Sequence, residues 1–274
     1  MIPAPFEYRR ADTVDEAIQA LSGEPDAKLL AGGHSLLPLM KLRLARPSLL
    51  VDISRLQDLK YVKEDGDVVA IGALTRHHDV ANSEVLQELC PIVSFAAGEI
   101  GDPQVRHVGT IGGSVAHADP ASDMPTVLVA LGAEMMVRGP GGVRGVAAGE
   151  FFKGLFEPDL ATDEVLTEIR VPKTAGRGWS YVKFHRRAQD WALVGVAALA
   201  NGSGPSIAHT NMADRPVRAT GVEEALAGGA DPAAASQRAA EGTSPPTDAF
   251  ASAEYRQELV KVLVRRALEE AQAS

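Results

Sequence analysis

The amino-acid sequence predicts an α+β protein: two small α/β subdomains followed by a C-terminal domain in which a three-stranded antiparallel sheet packs with helices. Three observations carry this expectation. Helix-period and strand-period segments alternate twice before residue 172. At KTAGRG, residues 173–178, the composition turns small, basic and flexible. Beyond it, three apolar strand-like runs precede alanine-rich helices. With 274 residues, 45% of them apolar, the chain can fill two or three packed cores. The expected units are 1–55, 56–172 and 173–274.

In order along the chain, TVDEAIQALSG is a helix. Thr13 and Glu16 have the spacing of a capping box, Ala17, Ile18 and Leu21 share one face, and Gly23 is placed to end it. AKLLAGGHS is a short apolar run breaking into paired glycines, LLPLMKLRLA is expected to be helical after Pro38, and SLLVDIS is a strand. YVKEDGDVVAIGALT alternates about Asp65-Gly66, whose tolerance of positive φ suits a tight hairpin. Ser83 to Gly98 has helical spacing, PTVLVALG is a helix that Gly132 can end, AEMMVRGPGGVRGVAAGEFF is a second hairpin, and EVLTEIRVP is a closing strand.

After the boundary, WSYVKFHRR, WALVGVAALA and SIAHTNMA are the three strands, with NGSG as the turn between the last two. EGTSPPTDAF is a loop. EYRQELVKVLVRRALEEAQA is the longest helix, with Leu259, Val260, Leu263, Val264 and Ala267 on one face.

Several function classes are excluded. A net charge of -9 leaves no broad phosphate-neutralising face, so nucleic acid and anionic membrane are poor partners. No apolar run reaches the roughly 18 residues of a membrane span, and MIPAPFEYRR lacks the order of a secretory signal. A cytoplasmic location without membrane insertion is expected. Cys90 is the single cysteine, so the chain can form no internal disulfide, cysteine-rich zinc site or iron–sulfur cluster of its own. Its place before Pro91 in an apolar stretch suits a buried structural thiol.

Two glycine motifs carry the chemistry. LLAGGHS, residues 29–35, and GTIGGSV, residues 109–115, each set a Gly-Gly pair between an apolar lead-in and an apolar run. Such a pair exposes backbone N–H groups with no side chain in the way, as a diphosphate cradle requires. One pair alone more often marks plain chain reversal. Two suggest one ligand held from both sides. Neither has the GxGxxG spacing of a dinucleotide Rossmann unit or a Walker-type lysine. His117, Asp119 and Asp123 match a metal site only loosely; the alternative is that both aspartates accept local N–H bonds and start a helix at Ser122–Pro125. His77 and His78 are adjacent and are expected at the surface. His34 either lies on a ligand or fills its turn.

AGGHSLLPLMKLRLA together with TIGGSVAHADPASDMP resembles the FAD-binding medium subunit of the molybdenum hydroxylases, in particular the carbon monoxide dehydrogenase type. EVLTEIRVP followed by YVKFHRR, and the terminal EYRQELVKVLVRRALEEA, extend the resemblance over nearly the whole chain. The resemblance implies that the first two subdomains clamp FAD and the third closes over it. It assigns FAD contacts to Leu30, Ala31, Gly32, Gly33, His34 and Ser35, to Thr110, Ile111, Gly112, Gly113 and Ser114, and to Asp123, Leu166 and Lys183. Trp191 lies where an aromatic sits near the isoalloxazine, and a core tryptophan is the other reading. Ser114 stands where many relatives carry Asn, which offers a longer reach and one donor more.

The resemblance also implies partners: an iron–sulfur small subunit and a molybdopterin large subunit, assembled as a dimer of heterotrimers. The chain would then be an oxidoreductase subunit that holds neither metal nor primary substrate and hands electrons to an external acceptor. A self-sufficient FAD oxidoreductase of the same fold, and a non-catalytic phosphosugar or nucleotide sensor, are the alternatives.

Overall fold

A computed structural model describes residues 2–200 and 204–273. The chain starts with a three-stranded parallel sheet, in which β1 (Glu7–Arg10), β2 (Lys28–Leu30) and β3 (Leu49–Asp52) lie in the order β1-β3-β2. The crossover from β1 to β2 is the expected helix, Val14–Gly23. Thr13 Oγ1 accepts from the Glu16 N–H at 3.1 Å, and the Glu16 carboxylate accepts from the N–H of Asp12 at 2.8 Å. Its face of Ala17, Ile18 and Leu21 packs on Val51, Ile53 and Leu56. Strand β1 has no apolar alternation, because all four of its side chains are exposed; its pairing with β3 makes it a strand. The next helix, Leu36–Lys41, begins before Pro38 rather than after it. At the third helical position a missing N–H costs nothing, since the first turn has no partner for it.

Both expected hairpins form. β4 (Val62–Asp65) pairs with β5 (Val68–Gly72) through Gly66 at φ +59°, and β6 (Glu134–Gly139) pairs with β7 (Gly142–Ala147). A small hairpin of β8 (Phe152–Gly154) and β9 (Glu157–Pro158) follows. β10 (Val165–Pro172) then inserts between the two larger hairpins, giving an antiparallel sheet ordered β4-β5-β10-β6-β7. The helical stretch after Ser83 is two helices, Glu84–Leu89 and Pro91–Gly98, because Pro91 cannot continue the first. Cys90 at the break is buried, and burial pushes its thiol up to about 11, as a structural thiol requires.

The third unit is an antiparallel sheet of β11 (Trp179–Phe184), β12 (Val194–Leu199), β13 (Ser206–Thr210) and β14 (Val217–Arg218). It holds the three expected strands and a two-residue edge. The expected NGSG turn falls largely on residues 201–203, outside the described residues. One face of this sheet packs Val194, Val196 and Ile207 on Val260, Leu263 and Val264 of the helix Ala253–Ala273. The other face packs Tyr181, Ala197 and Ala208 into the core of the second unit. Between them lies the helix Asp123–Leu131, buried at every residue and ended by Gly132 at φ +65°. No helix among the described residues is long and apolar enough to cross a membrane.

Two histidines are buried. His77, expected at the surface, is 4% exposed, and only its neighbour His78 reaches outward, stacked on His107 at 3.9 Å. His209 is wholly buried in the third unit, and neither ring nitrogen has a hydrogen-bond partner. Burial pushes both imidazoles down to about 4. In the unfolded chain they take up protons near pH 6.5, so the fold keeps its full stability above that pH and loses it as pH falls toward 4. Each ring contributes up to about 3 kcal/mol of that loss. Urea midpoints between pH 7 and 4.5 should fall steeply for the chain and less steeply for His209→Leu; an equal slope in the variant would remove His209 from the account.

Candidate functional site

The first glycine motif leaves the carboxyl end of β2. Gly33 sits at φ +72°, a conformation side chains resist, so the chain turns sharply into the helix at Leu36. The N–H groups of Gly32, Gly33, His34 and Ser35 donate to no acceptor among the described residues. The His34 ring folds back on its own turn, with Nδ1 3.1 Å from the Gly32 carbonyl. A Cβ on Gly32 would stand 2.3 Å from the Val108 carbonyl oxygen and 2.9 Å from the Gly109 Cα. The two glycine motifs therefore meet backbone to backbone, although 77 positions separate Gly32 from Gly109.

The second motif is built differently. TIGGS opens a helix, Ile111–His117, with Thr110 as N-cap accepting from the Gly113 N–H at 3.2 Å. Gly112 and Gly113 are helical and neither has a positive φ. The Ile111 N–H donates to the Thr75 carbonyl at 3.0 Å and the Gly112 N–H to the Ala73 carbonyl at 2.9 Å. A Cβ on Gly112 would lie 2.5 Å from that Ala73 oxygen. This glycine pair lets the helix sit on the chain leaving β5; it is not an open turn like the first, and the N–H groups of Ile111, Gly112, Gly113 and Ser114 are already used.

Where the motifs meet there is a cavity of about 370 Å³, lined by Ala31, Gly32, Ser54, Leu74, Val108 and Thr110 and by the cationic residues Arg55, Lys60 and Arg76. Its floor is the carboxyl end of the parallel sheet, where β2 and β3 both terminate, a usual place for ligands in α/β units.

Asp123 does not cap its helix as expected. One carboxylate oxygen accepts from the Tyr181 hydroxyl at 2.5 Å and the other from Lys183 Nζ at 3.0 Å, while Nζ also donates to the Glu99 carbonyl at 2.9 Å. The side chains of Lys183 and Asp123 are 5% and 6% exposed. Burial pushes the Asp123 carboxyl up, against the opposing pull of the Lys183 ammonium and the Tyr181 hydroxyl, and the Tyr181 hydroxyl is held well above its ordinary range by burial and the adjacent carboxylate. Asp119 accepts from the Ala121 N–H at 2.9 Å, which closes the turn before that helix. His117 packs on Phe156 with ring centroids 4.9 Å apart, and no group of metal-ligating side chains forms among the described residues.

Leu166 is buried in β10, and Trp191 is 58% exposed on the loop between β11 and β12; neither lines the cavity at the glycine motifs. Sequence reasoning did not identify Tyr181, the Glu99 carbonyl, Arg55, Lys60 or Arg76. Tyr181 had a signal, since in YVKF it shares a strand face with Lys183. The three cations had none, because their convergence depends on how the first two sheets pack.

Unpartnered backbone donors at a glycine turn, beside a cationic cavity and without Rossmann spacing, define an anion-binding site outside the Rossmann class. Residues 4–174 match the FAD binding domain in molybdopterin dehydrogenase and residues 179–271 the CO dehydrogenase flavoprotein C-terminal domain. The chain belongs to this family: it is an FAD-binding medium subunit of the carbon monoxide dehydrogenase and xanthine oxidase group of multi-subunit oxidoreductases.

It is 42% identical to the carbon monoxide dehydrogenase medium chain of Hydrogenophaga pseudoflava, over 100% of this chain and 99% of that one. It is 41% identical to the glyceraldehyde dehydrogenase medium chain of Sulfolobus acidocaldarius, over 98% and 99%. A solved carbon monoxide dehydrogenase from Hydrogenophaga pseudoflava superposes with a TM-score of 0.95 at 43% identity, covering 100% of this chain and 99% of that chain.

Proposed function

We propose that this chain is the electron exit of a molybdenum hydroxylase complex: it takes electrons from the iron–sulfur clusters of a small subunit and passes them to an external acceptor. The observation that carries the reading is the run of unpartnered N–H groups from Gly32 to Ser35 at the end of β2, which suits the diphosphate of FAD. Leu30 to Ser35 form one wall of the FAD site. Thr110 to Ser114 form the other through the Thr110 and Ser114 hydroxyls and the close approach that Gly112 permits. Asp123 and Lys183 hold the third unit against the second and line its far end, with Leu166 and Trp191 as outlying contacts. A three-stranded parallel sheet, a five-stranded antiparallel sheet and a four-stranded antiparallel sheet, met in chain order, support a division of labour among units 1–55, 56–172 and 173–274.

When bound, FAD supplies a carrier that accepts electrons singly and releases them singly or in pairs. The chain's own part is to bind it, exclude water and leave one route in and one out. A single cysteine means that no cluster relay resides here, so electrons enter from the small subunit, and the oxidised substrate is chosen by a molybdopterin large subunit. The complex is a dimer of such heterotrimers. Near-equal identity to medium chains of complexes named for carbon monoxide and for glyceraldehyde supports placing substrate choice outside this chain.

The full chain alone should release its flavin on acid precipitation, because no cysteine lies at either motif for a thioether. It should be bleached by dithionite and stay oxidised with carbon monoxide, aldehydes or purines until the two partner subunits are added. Rapid bleaching of the lone chain by a small organic substrate would instead identify a self-sufficient oxidoreductase.

A further inference from the structure

The charge around the glycine motifs is unbalanced. Arg55, Lys60 and Arg76 all line the 370 Å³ cavity, and none of them is in an ion pair among the described residues. Asp52, the carboxylate that feels the Arg55 charge, is already occupied, accepting from the Tyr8 hydroxyl at 2.7 Å and the Ser54 N–H at 2.8 Å. In a chain of net charge -9, three uncompensated cations around one cavity are a specific feature. The backbone leaves work for them. With the Ile111 and Gly112 N–H groups spent on Thr75 and Ala73, and that of Gly113 on Thr110, the second motif has few donors left for an anion.

We infer that Arg55, Lys60 and Arg76 form the electrostatic half of the cofactor site and take the diphosphate of the dinucleotide, completing a cradle of which the Gly32–Ser35 backbone is the other half. The inference rests on the FAD reading above and assigns to the site three residues from outside both glycine motifs. Geometry favours it. Ser54 and Arg55 follow β3 directly, Ala31 and Gly32 follow β2, and both parallel strands end at the same edge, so these residues line one cavity from adjacent strands, with the rest of the glycine turn continuing from Gly32. Arg76 pairs across an isolated bridge with Thr110, which ties the third side of the cavity to the helix that starts there. Guanidinium groups meet two phosphate oxygens at once, and lysine adds a point charge.

The test uses the full chain stripped of flavin, with Arg55→Gln, Lys60→Gln, Arg76→Gln, the triple variant and Arg76→Lys, titrated with FAD, ADP and riboflavin. Each single neutralisation should weaken FAD and ADP by the same factor, about five- to tenfold. The triple variant should lose most of the salt dependence of both. Arg76→Lys, which keeps the charge but not the two-pronged contact, should lose less affinity than Arg76→Gln, and riboflavin, which has no diphosphate, should bind all forms alike. Unchanged FAD affinity in the triple variant would overturn the inference while leaving FAD binding intact. So would an equal loss of riboflavin, which would mean that the cations serve the ring or the fold. If the unaltered chain bound ADP and inorganic diphosphate but not FAD, and the variants lost both, the pocket would stand and the FAD reading would fail.

Discussion

Gly32→Val empties the flavin site, and it does so more completely than Gly33→Val. A Cβ on Gly32 meets the Val108 carbonyl oxygen at 2.3 Å, and the obstructing atom is backbone, fixed by the helix N-cap that follows. The two motifs must separate to admit it. Overpacking of this kind costs about 1–3 kcal/mol in a close-packed region, and here it also opens the cavity. At Gly33 the nearest obstacle is the flexible Leu37 side chain, 2.8 Å away, and the main penalty is the left-handed backbone at φ +72°, of order 1–2 kcal/mol. Flavin counted per folded chain should therefore fall to near zero in Gly32→Val and partly in Gly33→Val, with helical circular dichroism retained in both. Gly113→Ala is the control. That position is helical and its added Cβ meets only the Thr110 hydroxyl, so the fold should survive with a weakened N-cap and flavin should fall far less than in Gly32→Val. Equal flavin loss in Gly113→Ala would restore the open-cradle reading of the second motif.

That contrast shows where the sequence was legible. A Gly-Gly pair reports that something approaches the backbone, and at both motifs something does. It does not report what: at Gly32 the neighbour is the other motif, and at Gly112 it is Ala73. TIGGS looked like a turn because two glycines oppose helix by propensity, yet the N-cap bond of Thr110 and the seat on Ala73 make the helix form there. Local signals carried well where neighbours along the chain decide the outcome, as in the Asp65-Gly66 hairpin and the Thr13–Glu16 cap. They failed where distant chain decides. β1 is a strand because of β3, His77 is buried by the segment at Gly109, and the three cations meet only once the first sheet lies against the second.

Breaking the Asp123–Lys183 pair should loosen the third unit from the second. The pair is the one salt bridge among the described residues with both side chains near 5% exposure, and it joins the buried helix Asp123–Leu131 to β11. Lys183→Met leaves a buried carboxylate with Tyr181 as its only side-chain donor, and Asp123→Ala leaves a buried ammonium with only the Glu99 carbonyl. Each should cost about 3–5 kcal/mol, because the penalty is that of an uncompensated buried charge rather than of a lost contact. The Asp123→Ala/Lys183→Met double variant removes both charges and should be more stable than the sum of its single variants implies, by on the order of 0.5–3 kcal/mol. Urea unfolding of the four forms measures this coupling, and strict additivity would show that the two charges do not sense one another. Flavin affinity separates the two roles given to the pair. If Asp123 and Lys183 only clamp the third unit, the double variant recovers flavin binding together with stability; if they contact the cofactor, stability returns and flavin does not.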